Sequence, residues 1–281
     1  MKQIFCLGLL AVLGFTQAGA QVVVEVALEQ NQFLPGEALP ATVRVINRSG
    51  RTIQLGAEEN WLTFAVQGRE SVIVEKSGDA PVLGEVALES SKVASKKVDL
   101  APYFTLTRPG RYNIIATVRI KEWEALVSSA PKNFDIIDGT KIWTQEFGVP
   151  VSGKAIEAPE VRRYSLMQAN YLRSELRLYC QLSDSPGTKV MKVVALGPIV
   201  SFGHPEAAVD GQSRLHVLQQ NGAHASRYTV VNPDGEIVLR QTYEYTESRP
   251  RLMPDQTGKI SVAGAVRRPD KDDLPEPKPA E

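Results

Sequence analysis

The stretch "FTLTRPGRYNIIATVRI", residues 104–120, decides the fold class of this chain. Pro109 and Gly110 predict a turn, because both residues suit the backbone angles that turns require. After Tyr112 an apolar side chain recurs at every second position, which places these side chains on one face of a β-strand. The alternating apolar residues are Ile114, Ala116, Val118 and Ile120.

The same period-two pattern predicts strands elsewhere in the chain. It occurs in "VVVEVALE" from Val22, in "ATVRVINRSG" from Ala41 and in "WLTFAV" from Trp61. Gly, Pro and Asn residues separate these runs, as expected of antiparallel strands joined by tight turns. Long amphipathic helices do not alternate with the strands, which argues against a doubly wound α/β sheet. The sequence therefore predicts an all-β protein.

Tyr112 follows a turn and begins an alternating strand. This arrangement resembles the tyrosine corner of Ig-like sandwiches, in which the phenol donates a hydrogen bond to backbone upstream. The stretch "QFLPGEALPATVRVINRSGRTIQL", residues 32–55, is similar to the opening strands of Ig-like modules in bacterial envelope and secreted proteins. The resemblance covers residues 21–151 and departs from antibody domains, because their Cys–Trp–Cys core is absent. It implies binding, adhesion or scaffolding and assigns no catalytic residue.

The first twenty residues have the layout of a secretory signal peptide. Lys2 precedes an apolar run over residues 4–15, and Ala18-Gly19-Ala20 forms a small-residue cleavage site. The run is shorter than the roughly 20 residues that a membrane-spanning helix needs. We therefore expect cleavage after Ala20, a secreted or periplasmic protein and no transmembrane segment after cleavage. A buried strand or an uncleaved anchor is the alternative interpretation.

Cysteine content and charge restrict the chemistry. Cys6 lies within the signal peptide, so Cys180 is the single cysteine of the mature chain, and an intrachain disulfide or a multi-cysteine zinc site is excluded. Cys180 stands in a strand-like run and is expected to pack as a small apolar side chain. The chain has 32 basic and 32 acidic residues and a net charge of zero, so no nucleic acid partner is predicted.

The C-terminal part carries a predicted two-copy repeat of about 45 residues. "DGQSRLHVL" from Asp210 and "DQTGKISVA" from Asp255 share a basic residue at the fifth position and an aliphatic residue at the sixth. This pattern, an Asp-led turn followed by a strand, resembles blades of secreted propeller proteins. Two or three units are too few to close a propeller, which takes at least about four blades. A compact meander or sandwich of two similar halves is expected instead. The predicted organisation is a signal peptide (1–20), an Ig-like β-sandwich (21–151), a linker (152–159), a β-rich repeat domain (160–268) and a disordered tail (269–281).

The candidate site residues are all candidates for binding, and none is expected to be catalytic. Asp210 is expected to begin a turn and to accept hydrogen bonds from nearby backbone N–H groups, so that Asp210→Asn would be nearly neutral. His216 lies within a predicted strand, and metal ligation by the three histidines is the less favoured interpretation. No metal or cofactor is predicted. The binding candidates are Trp123, Trp143, His204, Asp210, His216 and His224.

Two classes of function are compatible with these patterns. The first is a secreted bacterial β-module protein without enzymatic activity, which binds an envelope protein or a glycan or has a structural role in the cell envelope. The second is a secreted hydrolase or glycan-active enzyme with its site at the domain junction, where pockets often form. A junction groove with two carboxylates or a His–Asp pair would favour the enzyme.

Overall fold

The computed structural model describes residues 21–69, 72–149, 160–245 and 248–274, and within them it confirms the all-β prediction. Apart from two short 3-10 turns, Ala101–Tyr103 and Lys121–Trp123, the regular elements described are strands. In this part of the chain no helix is long and apolar enough to cross a membrane.

The N-terminal half contains two main sheets and a short ribbon. The strands are β1 Val22–Leu28, β2 Gln32–Phe33, β3 Pro40–Asn47, β4 Ile53–Leu55, β5 Leu62–Gln67, β6 Val86–Leu88, β7 Val93–Asp99, β8 Gly110–Ile120, β9 Ala125–Ser128 and β10 Lys132–Ile136. One sheet has the order β1-β3-β7, and the other has the order β2-β10-β8-β5 with β9 paired to β8. Strands β4 and β6 form the ribbon. The pairing is antiparallel except between β2 and β10.

The alternation in the sequence corresponds to a core between these sheets. Val43 and Val45 of β3 and Ile114 and Val118 of β8 are at most 2% exposed and belong to one apolar cluster. The Tyr112 hydroxyl donates a hydrogen bond to the Arg108 carbonyl oxygen at 2.7 Å, as predicted for a corner tyrosine.

The C-terminal half is built from two antiparallel meanders. Its strands are β11 Thr140–Gly148, β12 Val161–Tyr171, β13 Glu175–Asp184, β14 Val190–Pro198, β15 Glu206–Val209, β16 Leu215–Gln220, β17 Ala225–Val231, β18 Ile237–Glu244, β19 Arg251–Pro254, β20 Ile260–Ala263 and β21 Val266–Arg267. The first meander has the order β11-β12-β13-β14. The second has the order β15-β16-β17-β18, with β21 added at β18. Strands β19 and β20 form a separate hairpin.

A second apolar core lies between the two meanders. Leu166, Leu178 and Cys180 of the first meander pack with Leu215 and Val217 of the second. Two four-stranded units therefore bury one face each against the other. They are not the two predicted copies of the repeat, because β16 of the first copy and β17 and β18 of the second copy lie in the same meander.

The predicted repeat is visible in the turns. The Asp210 amide donates to the Arg214 carbonyl, and the Ser213 amide donates back to the Asp210 carbonyl. The same pair of bonds joins Asp255 with residues 258 and 259, so the two aspartates occupy equivalent positions as predicted. Asn232 repeats the pattern between them. The hairpin unit is thus roughly 22 residues, half the length of the repeat that the sequence predicts.

Two segments differ from the predicted organisation. The predicted N-terminal sandwich includes β11, but this strand pairs with β12 and belongs to the first meander. The predicted disorder of the tail does not extend to residues 269–274, where the Leu274 amide donates to the Arg240 carbonyl at 2.9 Å. The predicted linker, the signal peptide and residues 275–281 lie outside the described residues.

The loop between β2 and β3 connects the two halves. Leu34 is 1% exposed and packs with Ala169, Tyr179 and Val193 of the first meander. The Val193 amide donates to the Gly36 carbonyl at 3.2 Å. Gly36 has a φ of +82°, and a Cβ there would lie 2.8 Å from Val190. The close approach of the loop therefore requires glycine at this position.

Candidate functional site

Asp210 and His216 are brought together, which their interpretation as a turn residue and a strand residue did not predict. Strand β16 directs the His216 ring away from Leu215 and Val217, onto the opposite face of the second meander. There the Nε2 atom lies 3.0 Å from Asp210 Oδ2, and the Nδ1 atom lies 2.6 Å from the Tyr228 hydroxyl. A carboxylate only accepts hydrogen bonds, so Nε2 carries the hydrogen, and in neutral His216 the Nδ1 atom accepts from Tyr228.

Asp210 has more partners than a turn requires. Its Oδ1 atom accepts from the amides of Gln212 and Arg214, both at 2.9 Å, which is the predicted turn role. Its Oδ2 atom accepts from His216 and also from Arg214 Nε at 2.8 Å. The side chain is only 4% exposed. These last two bonds contradict the basis for expecting Asp210→Asn to be nearly neutral, because an amide NH₂ cannot accept them.

Burial determines the protonation of this pair. It lowers the pKa of His216, against the opposing effect of the Asp210 carboxylate. Burial alone would raise the pKa of Asp210, but the hydrogen bonds from His216 and Arg214 keep it below its usual value. At neutral pH the pair is thus a neutral imidazole held by a carboxylate. Both ring nitrogens have protein partners, and His216 is 3% exposed, so the arrangement stabilises the fold and is closed to a substrate.

The other candidate residues do not join this pair. His204 and His224 are exposed, and the His224 ring lies 5.4 Å from the Tyr245 ring. Trp123 is half-buried against the N-terminal core, whereas Trp143 is half-buried against the core between the meanders. In the described part of the chain, no three His, Cys, Asp or Glu side chains are grouped so as to hold a metal ion.

Cys180 is unsuited to nucleophilic chemistry. It is 1% exposed, and burial raises the pKa of its thiol to about 12. The thiolate is the reactive form of cysteine, and it is scarce at neutral pH when the pKa is this high.

A large concave surface, a groove of about 750 Å³, lies at one end of the N-terminal sandwich. One side of it is formed by Arg108 of the loop before β8 and by Arg111 and Tyr112 at the start of β8, and residues after β5 form the other side. Val72 and Ile73 are 65% and 71% exposed there, which is unusual for side chains of this kind. We call this feature the sandwich-end groove.

The sandwich-end groove is basic as well as apolar. Arg111 is paired with Asp135 at 3.1 Å. Arg69 and Arg108 are exposed, and neither has a carboxylate within ion-pair distance among the described residues. Glu75 is an acidic residue of the lining. Among the described residues, the groove therefore presents two guanidinium groups without a carboxylate partner next to exposed aliphatic side chains. Its aliphatic residues and Arg69 were not identified from the sequence, because "QGRESVIV" shows only a short apolar run beside charges.

Two smaller grooves lie at the junction of the halves, with volumes of about 300 and 380 Å³. The first contains the carboxylates of Glu29 and Glu37. Glu29 forms an ion pair with Lys97. Glu37 is 8% exposed and accepts hydrogen bonds from the Leu34 amide at 2.9 Å and from Gln30 at 2.8 Å. Burial raises the pKa of Glu37, although these bonds and the charge of Arg177 act against the rise.

A comparison with solved structures gives a weak similarity of shape. No protein-family model matches the chain, and no curated protein matches it. Among solved structures, the chain is similar to Spo0M, a sporulation control protein from Bacillus subtilis, with a TM-score of 0.31 and 10% sequence identity. The match covers 88% of this chain and 91% of that one.

Proposed function

We propose that the protein is an exported, non-enzymatic β-module protein of the bacterial cell envelope that binds a partner protein through the sandwich-end groove. The groove carries this proposal, because exposed aliphatic side chains beside exposed arginines are typical of a binding surface. Its chemistry fits a partner segment with acidic and apolar side chains. The signal-peptide pattern of residues 1–20 supports the assignment to the envelope or the medium.

The architecture supports an Ig-like assignment of the N-terminal half within this proposal. Two sheets, antiparallel except between β2 and β10, enclose one core, and the Tyr112 hydroxyl closes the loop before β8. Ig-like sandwiches commonly bind through loops at one end, and the sandwich-end groove lies between such loops.

The interior chemistry supports binding rather than catalysis. The His–Asp pair that would have favoured an enzyme lies within the second meander, away from the junction, and its polar atoms are used by the protein. Cys180 is buried between the meanders.

A pull-down from the cell-envelope fraction tests the groove. The mature protein is expected to capture a partner, and Arg69→Glu with Arg108→Glu should reduce the capture at least tenfold. Arg48→Glu with Arg51→Glu is the matched control, since both arginines are exposed and lie outside the groove. Equal capture by both double variants would refute the assignment. Treatment of the fraction with protease or with periodate distinguishes a protein partner from a glycan.

Export is tested separately by the intact mass of the protein recovered outside the cytoplasm. The mature chain should begin at Gln21. A mass that retains residues 1–20 would contradict the cleavage.

One observation favours a second candidate function, a glycan-active enzyme at the junction. Glu37 is a buried carboxyl group with a raised pKa in a groove that Glu29 also lines, and glycoside hydrolysis uses two carboxyl groups. Activity on envelope glycans that Glu37→Gln abolishes and Leu126→Gln preserves would establish this function.

A further inference from the structure

The second meander carries a group of polar side chains on a face that is otherwise apolar. Gln219 of β16 lies opposite Arg227 of β17, which in turn lies opposite Thr242 of β18. Two residues further along β17, Thr229 lies opposite Arg240 of β18. Positions two residues apart on a strand share a face, so these five side chains lie on the same face as Leu215 and Val217. We call them the arginine patch.

Polar atoms of the arginine patch are buried without hydrogen-bond partners among the described residues. Thr229 is fully buried, Gln219 is 1% exposed and Arg227 is 9% exposed. Four buried atoms of the patch have no hydrogen-bond partner among the described residues: Gln219 Oε1, Arg227 Nε, Thr229 Oγ1 and Arg240 Nε. Buried polar groups in folded proteins are almost always hydrogen-bonded, so four such atoms on one face call for an explanation.

The charges of the patch are also incompletely balanced. Arg227 contacts Asp272 at 3.4 Å, and that aspartate is 51% exposed. Asp273 accepts from Thr242 at 3.1 Å and pairs with Arg267 at 2.6 Å. Arg240 has no ion-pair partner among the described residues. Burial and the charge of Arg227 lower its pKa, against the opposing charges of Asp272 and Asp273. A guanidinium group stays charged, so the patch retains an excess of positive charge.

The chain's own acidic turn covers this patch. The Asp273 amide donates to the Asp270 carbonyl, and the Leu274 amide donates to the Arg240 carbonyl, which holds the turn against β18. The Gly197 backbone closes the other side, where a Cβ would lie 2.5 Å from Arg227 Nη1. The carboxylates of Asp272 and Asp273 therefore occupy positions that oxygens of an external anion would take.

We propose that the arginine patch is a phosphate-binding site, and that the acidic turn at residues 270–274 is a displaceable cover which competes with phosphate for Arg227 and Arg240. Two guanidinium groups and a threonine hydroxyl match the oxygens of a phosphate group. Gln219 Oε1, which accepts no hydrogen bond from the described residues, adds selectivity, because hydrogen phosphate and dihydrogen phosphate carry a proton to donate to it. Sulfate at neutral pH has no such proton.

Calorimetric titration at pH 7 and constant ionic strength tests the site with inorganic phosphate and with sulfate. Asp272→Asn with Asp273→Asn in the full chain should bind phosphate at least tenfold more tightly than the unmodified protein, and at least tenfold more tightly than it binds sulfate. Addition of Arg240→Gln should remove the gain, whereas the control Arg251→Gln, an exposed arginine on β19, should not. Titration with a phosphate monoester shows whether the site takes free phosphate or a phosphorylated ligand.

Hydrogen exchange of the unmodified protein provides an independent measurement that needs no substitution. Phosphate should accelerate exchange of the Leu274 amide at least threefold relative to sulfate, since displacement of the turn breaks its bond to Arg240. A folded double asparagine variant that binds phosphate no better than sulfate would overturn the proposal. If that variant does not fold, Leu274 exchange that is equal in the two anions would overturn it.

Discussion

Asp210 and Asp255 make the same backbone contacts but differ in what surrounds their second oxygen. In both, Oδ1 accepts from the amides two and four residues later. Asp210 Oδ2 additionally accepts from His216 and Arg214, whereas the contacts described for the Asp255 carboxylate all use Oδ1. Asp210→Asn should therefore lower the free energy of unfolding by about 2 kcal/mol. Asp255→Asn should leave it unchanged within error, and equal effects in urea denaturation would contradict the role assigned to Asp210 Oδ2.

His216 should make the stability of the protein depend on pH near neutrality. Its pKa is lowered in the native state, so the unfolded state binds the proton more readily. The free energy of unfolding should consequently fall as the pH drops below about 6.5, the ordinary pKa of histidine. Asp210 has a lowered pKa and loses its contribution only at much lower pH.

Urea denaturation at pH 7.5 and pH 5.5 measures the contribution of His216. His216→Asn should reduce the difference between the two values, while the exposed His204→Asn should retain it. An unchanged difference in His216→Asn would show that another group is responsible.

At the level of elements, the recurring hairpin turn places its fourth residue in the left-handed backbone conformation. Gly258 and Ser213 hold the same turn position, with φ of +81° and +61°. Gly211, two positions earlier than Ser213, does not have a positive φ, and neither Gly211 nor Gly258 has a neighbour within 4 Å of an added Cβ. Gly258→Ala should therefore cost about 1 kcal/mol through backbone strain. Gly211→Ala should be neutral or slightly stabilising. Thermal unfolding of the two variants checks this, and equal midpoints would contradict the assignment of strain.

The strands and turns were predictable because their signals are local. Alternation over residues 104–120 predicted β8, and the aspartate spacing predicted equivalent turns. The further role of Asp210 was not predictable, because it depends on His216, which contacts Asp210 through one ring nitrogen and Tyr228 of the neighbouring strand through the other. The pairing of β11 with β12 was also not predictable, because the alternation of Thr140–Gly148 predicts a strand but does not specify its neighbouring strand. The arginine patch arises only when three strands align in register.

At the level of the whole molecule, Leu34 determines how the two halves dock. It is buried among residues of the first meander, although the sequence around it predicts only a turn. Leu34→Ala should lower the stability by about 3 kcal/mol, because it leaves a cavity between the halves. It should also accelerate hydrogen exchange of the Val193 amide, which donates to Gly36. The exposed Leu126→Ala is the control. Unchanged Val193 exchange in Leu34→Ala would show that the loop does not couple the halves.

The position of Cys180 gives the protein a built-in reporter. Cys180 lies between the meanders, so a thiol reagent in native buffer reaches it only when the two sheets separate, and the labelling rate measures that opening. Cys6 is the other cysteine of the chain. In denaturant, a chain that retains its first twenty residues will therefore titrate two thiols, and a processed chain will titrate one. A single colorimetric thiol reagent thus measures two properties. The number of thiols in denaturant shows whether residues 1–20 are retained, and the labelling rate in native buffer gives the rate at which the two meanders separate.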